Sequence, residues 1–159
     1  MMLTLAERQA RIEKIRNFPA RLEALVANLT DQQLDAHLPG EWTARQNVHH
    51  VADSHMNAFI RFKLALTERV PIIKPYAEAD WANLADTTTL PVQPTLQILH
   101  GLHKRWVTLL DSLTADQWAR TAYHPEQGKV MSLDDFLVTY SDHGDAHIEQ
   151  LSRALTAAK

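Results

Sequence analysis

An all-α four-helix bundle is predicted by three observations. Four stretches of the 159-residue chain carry apolar residues at helical period, Pro, Gly and Asp/Thr punctuation falls between them, and the residue inventory favours helix. That inventory holds 21 Ala and 21 Leu against only 4 Gly. At roughly 100–200 residues per domain, the whole span 1–159 is expected to form one domain.

The first helix is expected from about Leu5 to Leu29, with Ile12, Ile15, Leu22, Leu25, Val26 and Leu29 on one side and a kink at Pro19. A short connector, Thr30–Gly40, ends in Pro39-Gly40. The second helix starts near Trp42-Thr43, with Thr43 as N-cap, and runs to about Thr67. The stretch Val70–Pro94 holds four prolines and reads as an ordered loop with short helical turns, because Tyr76, Trp81 and Leu84 are too apolar for a free linker. From Thr95, the stripe Leu99, Leu102, Trp106, Leu109 and Leu113 marks a third bundle helix. After the turn-rich Tyr123–Lys129, the last helix runs from about Ser132 to Ala157, with Asp134 and Asp135 suited to its positive end.

Nine histidines and no cysteine exclude disulfides, thiolate metal sites and cysteine nucleophiles. Any metal must be held by imidazole or carboxylate. A net charge of −3 and the lack of a basic, aromatic-interleaved block argue against nucleic acid as a partner. No apolar run approaches the roughly 18 residues of a membrane span, and Met1–Arg8 lacks the basic-then-apolar pattern of a leader, so a soluble cytoplasmic protein is expected.

The strongest candidate chemistry lies in the last helix. His143 and His147 are four apart and therefore about 40° apart on one face. Phe136, Tyr140, Leu133, Leu151 and Ala154 share that arc, while Asp142, Asp145 and Glu149 lie opposite. Two imidazoles on an inward stripe need polar partners, and one divalent metal satisfies both; hydrogen-bonded core histidines are the alternative. A third ligand is sought on the second helix, where His50 shares a polar strip with Gln46, Asn47, Ser54, Asn57 and Arg61, opposite an arc of Val48, Val51, Ala52, Phe59 and Phe62. Such a strip is either a solvated face or the lining of a polar cavity. His49 and His55 are read as packing or interface residues, and His103 as a core histidine or a support for the ligands. Glu-x-x-His, His-Glu-x-x-His, a phosphate-binding Gly loop and a nucleophile elbow are all missing.

The segment Trp42–Glu68, with its core His49-His50-Val51-Ala52-Asp53-Ser54-His55-Met56-Asn57, resembles the DinB-like superfamily, and more narrowly the YfiT-type metal-dependent hydrolases, also described as bacillithiol S-transferases. The likeness continues through Lys74-Pro75-Tyr76, Trp81, Leu102-His103, Arg105-Trp106, Tyr123-His124-Pro125-Glu126 and His147-Ile148, and covers nearly the whole chain. It implies a four-helix bundle, often dimeric, that holds zinc or nickel through one histidine of the second helix and a His-x-x-x-His of the last. By position these are His50, His143 and His147. The chain departs from the family around that last pair, where Tyr140-Ser141-Asp142-His143-Gly144-Asp145-Ala146-His147 replaces the usual aromatic and extra histidines. Gly144, unfavourable inside a helix by about 1 kcal/mol, points to a close approach or a bend there.

Three neutral imidazoles leave the metal its +2 charge and an open position that favours an anion. Bound water would make a hydrolase, and a bound small thiol a thiol S-transferase. The resemblance favours the transferase, with a bacillithiol-like thiol as cosubstrate and a small electrophile as acceptor. In that reading Arg61, and less securely Arg45, holds the thiol's carboxylates, and Asp53 moves a proton. The competing class is a non-catalytic metal-binding bundle used for binding or dimerisation, and a homodimer is expected in either case.

Overall fold

A computed structural model, which describes residues 2–157, is built on four long helices joined by three segmented connectors. Helix α1 spans Leu5–Val26, and a short α2, Asp31–Leu34, leads to α3, Ala44–Thr67. Two more short helices, α4 (Glu78–Trp81) and α5 (Ala85–Thr89), precede α6, Gln93–Asp111. A further turn, α7 (Ala115–Trp118), and a hairpin of β1 (Thr121–His124) and β2 (Lys129–Ser132) lead to α8, Leu133–Ala157. Of the expected domain span, Met1, Ala158 and Lys159 lie outside the described residues.

Local sequence sets the helix starts. Thr4, Thr30, Thr43 and Thr114 each close a capping box with the Glu or Gln three residues on, which satisfies two otherwise orphaned amides per helix. Ser132 does the same for α8: its backbone N–H donates to Asp135, and the Asp135 N–H donates back to Ser132 Oγ. Asp134 serves another purpose. Buried, it accepts from Arg8 at 2.7 and 2.8 Å and from the Leu3 amide at 3.0 Å, tying the N-terminal segment to α8.

Three differences from the sequence expectation stand out. Helix α1 ends at Val26 rather than Leu29 and is followed by a connector that carries its own capped helix, so the first connection is not short. Around Tyr123–Lys129, expected only as a turn-rich segment, residues 121–132 form an antiparallel ladder in the register Thr121↔Ser132 to His124↔Lys129. On its other side β1 is bridged at Tyr123 to Ile72, a pairing across sequence that no local pattern announces.

Both α1 and α3 pack against α6 and α8, so α1 and α3 lie diagonally across the bundle. The core divides into two apolar clusters. One is centred on Phe62, Trp106 and Phe136, the other on Phe18, Val48, Leu99 and Leu151. On every long helix the boundary falls at the same height: between Ile15 and Phe18, Ala52 and Ala58, Leu99 and Trp106, and Tyr140 and Leu151. His55, His103, His143 and His147 fall within those intervals, and His50 lies less than one turn ahead of Ala52.

Candidate metal centre

Helix α3 brings His50 to the centre because its capped start fixes the helix against its surroundings. Gln46, the capping partner of Thr43, also donates to the Ala82 carbonyl at 2.8 Å. The polar strip of α3 is not a solvated face: Asn47, His50 and Ser54 are 1–4% exposed. The opposite arc, Val48, Val51, Ala52, Phe59 and Phe62, is buried as well. This is possible because the arc packs into the apolar clusters with Leu96, Leu99 and Trp106 of α6, while the strip faces His143 and His147 of α8.

Facing that strip, α8 presents His143 and His147. One ring nitrogen from each of His50, His143 and His147 lies within 4.8 Å of the others, and His50 is buried while the other two are partly exposed. The Nε2 atoms of His143 and His147 are 3.1 Å apart. Trp42, just ahead of α3, tilts over His50 at 4.6 Å between ring centroids and stacks over His147 at 6.5 Å, forming a wall of the cluster.

Hydrogen bonding decides which nitrogen His147 presents. The Asn47 amide donates from Nδ2 to the Thr43 and Trp42 carbonyls, so its Oδ1 is left facing His147 Nδ1 at 3.0 Å. The oxygen can only accept; Nδ1 therefore carries the proton and Nε2 offers its lone pair toward His143. Burial, with the neighbouring imidazoles, lowers His50 to about 4 and His143 to about 3, and burial alone lowers His147 to about 4. All three are neutral at pH 7. Neutral imidazoles, converging and partly desolvated, are the donor set a divalent metal takes, and four-coordinate zinc at about 2.0–2.1 Å would space its ligand atoms about 3.3 Å apart. The residues present fit such an ion.

The remaining expected residues are distributed unevenly. Arg61 stands near the cluster: it donates to the Tyr140 hydroxyl and to the Lys74 carbonyl, and Tyr140 lies 6.4 Å from His143 between ring centroids. Its Nε is buried with no partner among the described residues. Asp53 is half-buried and its carboxyl is pushed up to about 6, by burial first and by Asp86 second. Among the described residues no hydrogen bond joins that carboxyl to the three histidines.

Arg45 has a different role from the one expected. It is 4% exposed and spends its guanidinium on Asp31, Asp35 and the Leu90 carbonyl, locking α2 and the α5–α6 joint onto α3. His49 is likewise structural, bonded to Thr95 Oγ1 at 2.6 Å and to the Leu90 carbonyl at 3.0 Å. Residue spacing alone missed Trp42, Asn47 and Ser54 as site residues, although Asn47 and Ser54 stand on the same helical strip as His50. Ser54 Oγ lies 3.4 Å from His143 Nε2.

Comparison with known proteins places these features in a lineage. The sequence profile of the DinB superfamily matches residues 14–151. A Bacillus subtilis relative, YfiT, named as a candidate metal-dependent hydrolase, is 45% identical over 148 residues, covering 91% of this chain and 83% of its own. A similarly named protein of Halalkalibacterium halodurans is 40% identical over 149 residues, covering 93% and 86%. The solved structure of B. subtilis YfiT, described as having an unusual four-helix bundle topology, superposes with a TM-score of 0.89 at 43% identity, over 96% of this chain and 89% of that one. A mycothiol-dependent maleylpyruvate isomerase shares the fold at TM-score 0.71 and 18% identity, over 94% of this chain and 63% of its own.

Proposed function

This chain belongs to the DinB superfamily, and we propose that His50, His143 and His147 hold one divalent metal ion, zinc or nickel, in an enzyme that joins a small thiol to an electrophile. The observation that carries this reading is the convergence of three neutral imidazoles, all within 4.8 Å, at the polar level of the bundle. Bound there, the metal would supply a +2 charge with no ligand anion to offset it, and so would favour a thiolate or hydroxide in its open position. The chain has no cysteine, so the sulfur comes from a cosubstrate.

Arg61 favours a thiol that bears carboxylates. Its guanidinium is fixed by Tyr140 and Lys74 and keeps one buried donor, Nε, unspent. A fixed cation with a free N–H orients a carboxylate and would be idle if water alone reacted. Asp53, with a carboxyl at about 6, suits proton transfer near neutral pH. Trp42 and the apolar walls keep water away from the buried side of His50. Hydrolysis at the same centre is the second reading, favoured by the names of the curated relatives. A homodimer is part of the proposal, by resemblance.

Metal analysis of untagged protein comes first, with stoichiometric zinc or nickel expected and its loss expected in His143→Ala. Protein that takes up no metal, or a His143→Ala variant with full metal content, overturns the ligand set. A thiol-conjugation assay with a panel of thiols and a simple electrophile then separates the reactions. Turnover that requires added thiol supports transfer, and turnover without it establishes hydrolysis instead.

A further inference from the structure

Two buried histidines take no part in the site described so far. His55 and His103 lie at the same level of the bundle, 1% and 2% exposed, with ring centroids 4.9 Å apart. Their partners run in one direction. Pro19 sits inside α1 and has no N–H to offer the carbonyl four residues back, which is that of Ile15. That freed carbonyl accepts from His103 Nδ1 at 2.6 Å. A carbonyl cannot donate, so His103 carries its proton on Nδ1 and presents a lone pair at Nε2. His55 Nδ1 lies 2.8 Å from that Nε2 and must be the donor. Its own Nε2 is then a bare acceptor, buried with no partner among the described residues.

The next ring along is His143, 5.6 Å from His55 between centroids. Its Nδ1 is also buried with no partner among the described residues. An unpaired buried acceptor and an unpaired buried ring nitrogen on adjacent imidazoles complement each other, and a buried polar group left unmet is unfavourable.

We propose that His55 is the positioning residue of His143: it accepts the His143 Nδ1 proton, so that a relay from Pro19-freed Ile15 through His103 and His55 fixes His143 with its Nε2 lone pair toward the metal. The inference rests on the three-histidine metal reading. Asn47 does for His147 what the relay does for His143, so the two α8 ligands are oriented from opposite sides, one by an amide and one by two imidazoles. The facing Nε2 lone pairs, 3.1 Å apart, then repel unless a cation lies between them. Orientation of a ligating histidine through its second nitrogen is typically worth about 10- to 100-fold in metal affinity.

The test has two arms, neither reading turnover. In metal-loaded protein labelled with 15N-histidine, long-range imidazole spectra are expected to show His103, His55 and His143 all protonated at Nδ1. A proton on Nε2 of His55 or of His143 overturns the relay. In the second arm zinc affinity is measured by chelator competition. His55→Leu is expected to bind about 10- to 100-fold more weakly, and His55→Gln, whose side-chain oxygen can accept in place of Nε2, to recover most of the loss. A His55→Leu protein that folds and binds zinc like the parent also overturns it. If that variant does not fold, the tautomer spectra of the unaltered protein decide alone. If the unaltered protein binds no zinc or nickel, the metal reading fails and the relay with it; metal bound beside another His55 tautomer sinks the relay only.

Discussion

Asp53 and the three clustered histidines respond to pH with opposite sign. The Asp53 carboxyl is raised from 3.8 to about 6 in the folded chain. A raised carboxyl contributes stability that is present below the unfolded value and is lost as pH rises through the folded one, so ionised Asp53 opposes folding at pH 7. Asp53→Asn is therefore expected to stabilise the protein at pH 7, by about 1 kcal/mol once screening of a half-exposed group is allowed for. The gain should vanish below about pH 4, where the carboxyl is protonated in both states. Urea titrations at a series of pH values check this, and turnover that falls in the same variant would place Asp53 in the reaction. The metal-site imidazoles run the other way. Their folded values of about 3 to 4 lie below the ordinary 6.5, so stability of the metal-free chain is expected to fall as pH drops through that window, because the unfolded chain takes up protons that the folded one refuses. Residue types and spacing were enough to nominate these groups and to turn His143 and His147 inward; they could not decide the burial of the α3 strip, nor that Arg45 would be consumed by Asp31 and Asp35.

At the scale of the element, two residues that disfavour helix sit inside helices for reasons of contact. Pro19 belongs to a helix that continues through it, and its missing N–H leaves a carbonyl that His103 uses. Gly144 lets α8 approach α1: a Cβ built there would lie 2.8 Å from Phe18 Cδ2, on a ring that is itself buried and stacked on His103 at 5.5 Å. Alanine at 144 would gain about 1 kcal/mol of helix propensity but must displace that ring, at about 1–3 kcal/mol. Gly144→Ala is expected to lower Tm and to weaken metal binding by pushing on Phe18, which touches His55 as well. A rise in Tm with unchanged affinity would show that Phe18 yields freely. The starts of α3 and α8 were legible from Thr43 and from Ser132 ahead of Asp134 and Asp135, since a cap is a local contact between backbone and side chain; the capping boxes at Thr4, Thr30 and Thr114 were added by the structure. The hairpin β1–β2 was not legible, because strands of four residues owe their existence to partners elsewhere, including Ile72.

For the molecule as a whole, two of the three connections are diagonal. The steps from α1 to α3 and from α6 to α8 join helices that do not pack as neighbours, so the chain must cross the end of the bundle. Helix α2 fills the first crossing and α7 with the hairpin the second; α4 and α5 lie in the connection between the neighbours α3 and α6. Among the described residues no helix is long and apolar enough to cross a membrane. The two apolar clusters hold the bundle above and below a polar level spanned by α3, α6 and α8. A metal tying α3 to α8 at that level binds the folded chain and not the unfolded one, so chelation is expected to lower Tm. At a free metal concentration of 1,000 times Kd the loss would be about 4 kcal/mol. Calorimetry with and without chelator measures it, and an unchanged Tm in protein shown to hold metal would mean that the site contributes nothing to the fold.

By itself the sequence determined what is periodic or local: four helices, the capped start of α3 at Thr43, an inward arc carrying His143 and His147, and a polar strip on α3 that includes His50. Helical spacing is a property of one chain segment, and three to four residues suffice to read it. Only the tertiary structure decided which polar strip is buried, which arginine is spent on carboxylates, and which nitrogen of each histidine is free. Those outcomes depend on partners far apart in the chain, Asn47 with His147, Arg61 with Tyr140 and His103 with Ile15, and no residue carries in its own neighbourhood the identity of the group that folding will bring against it.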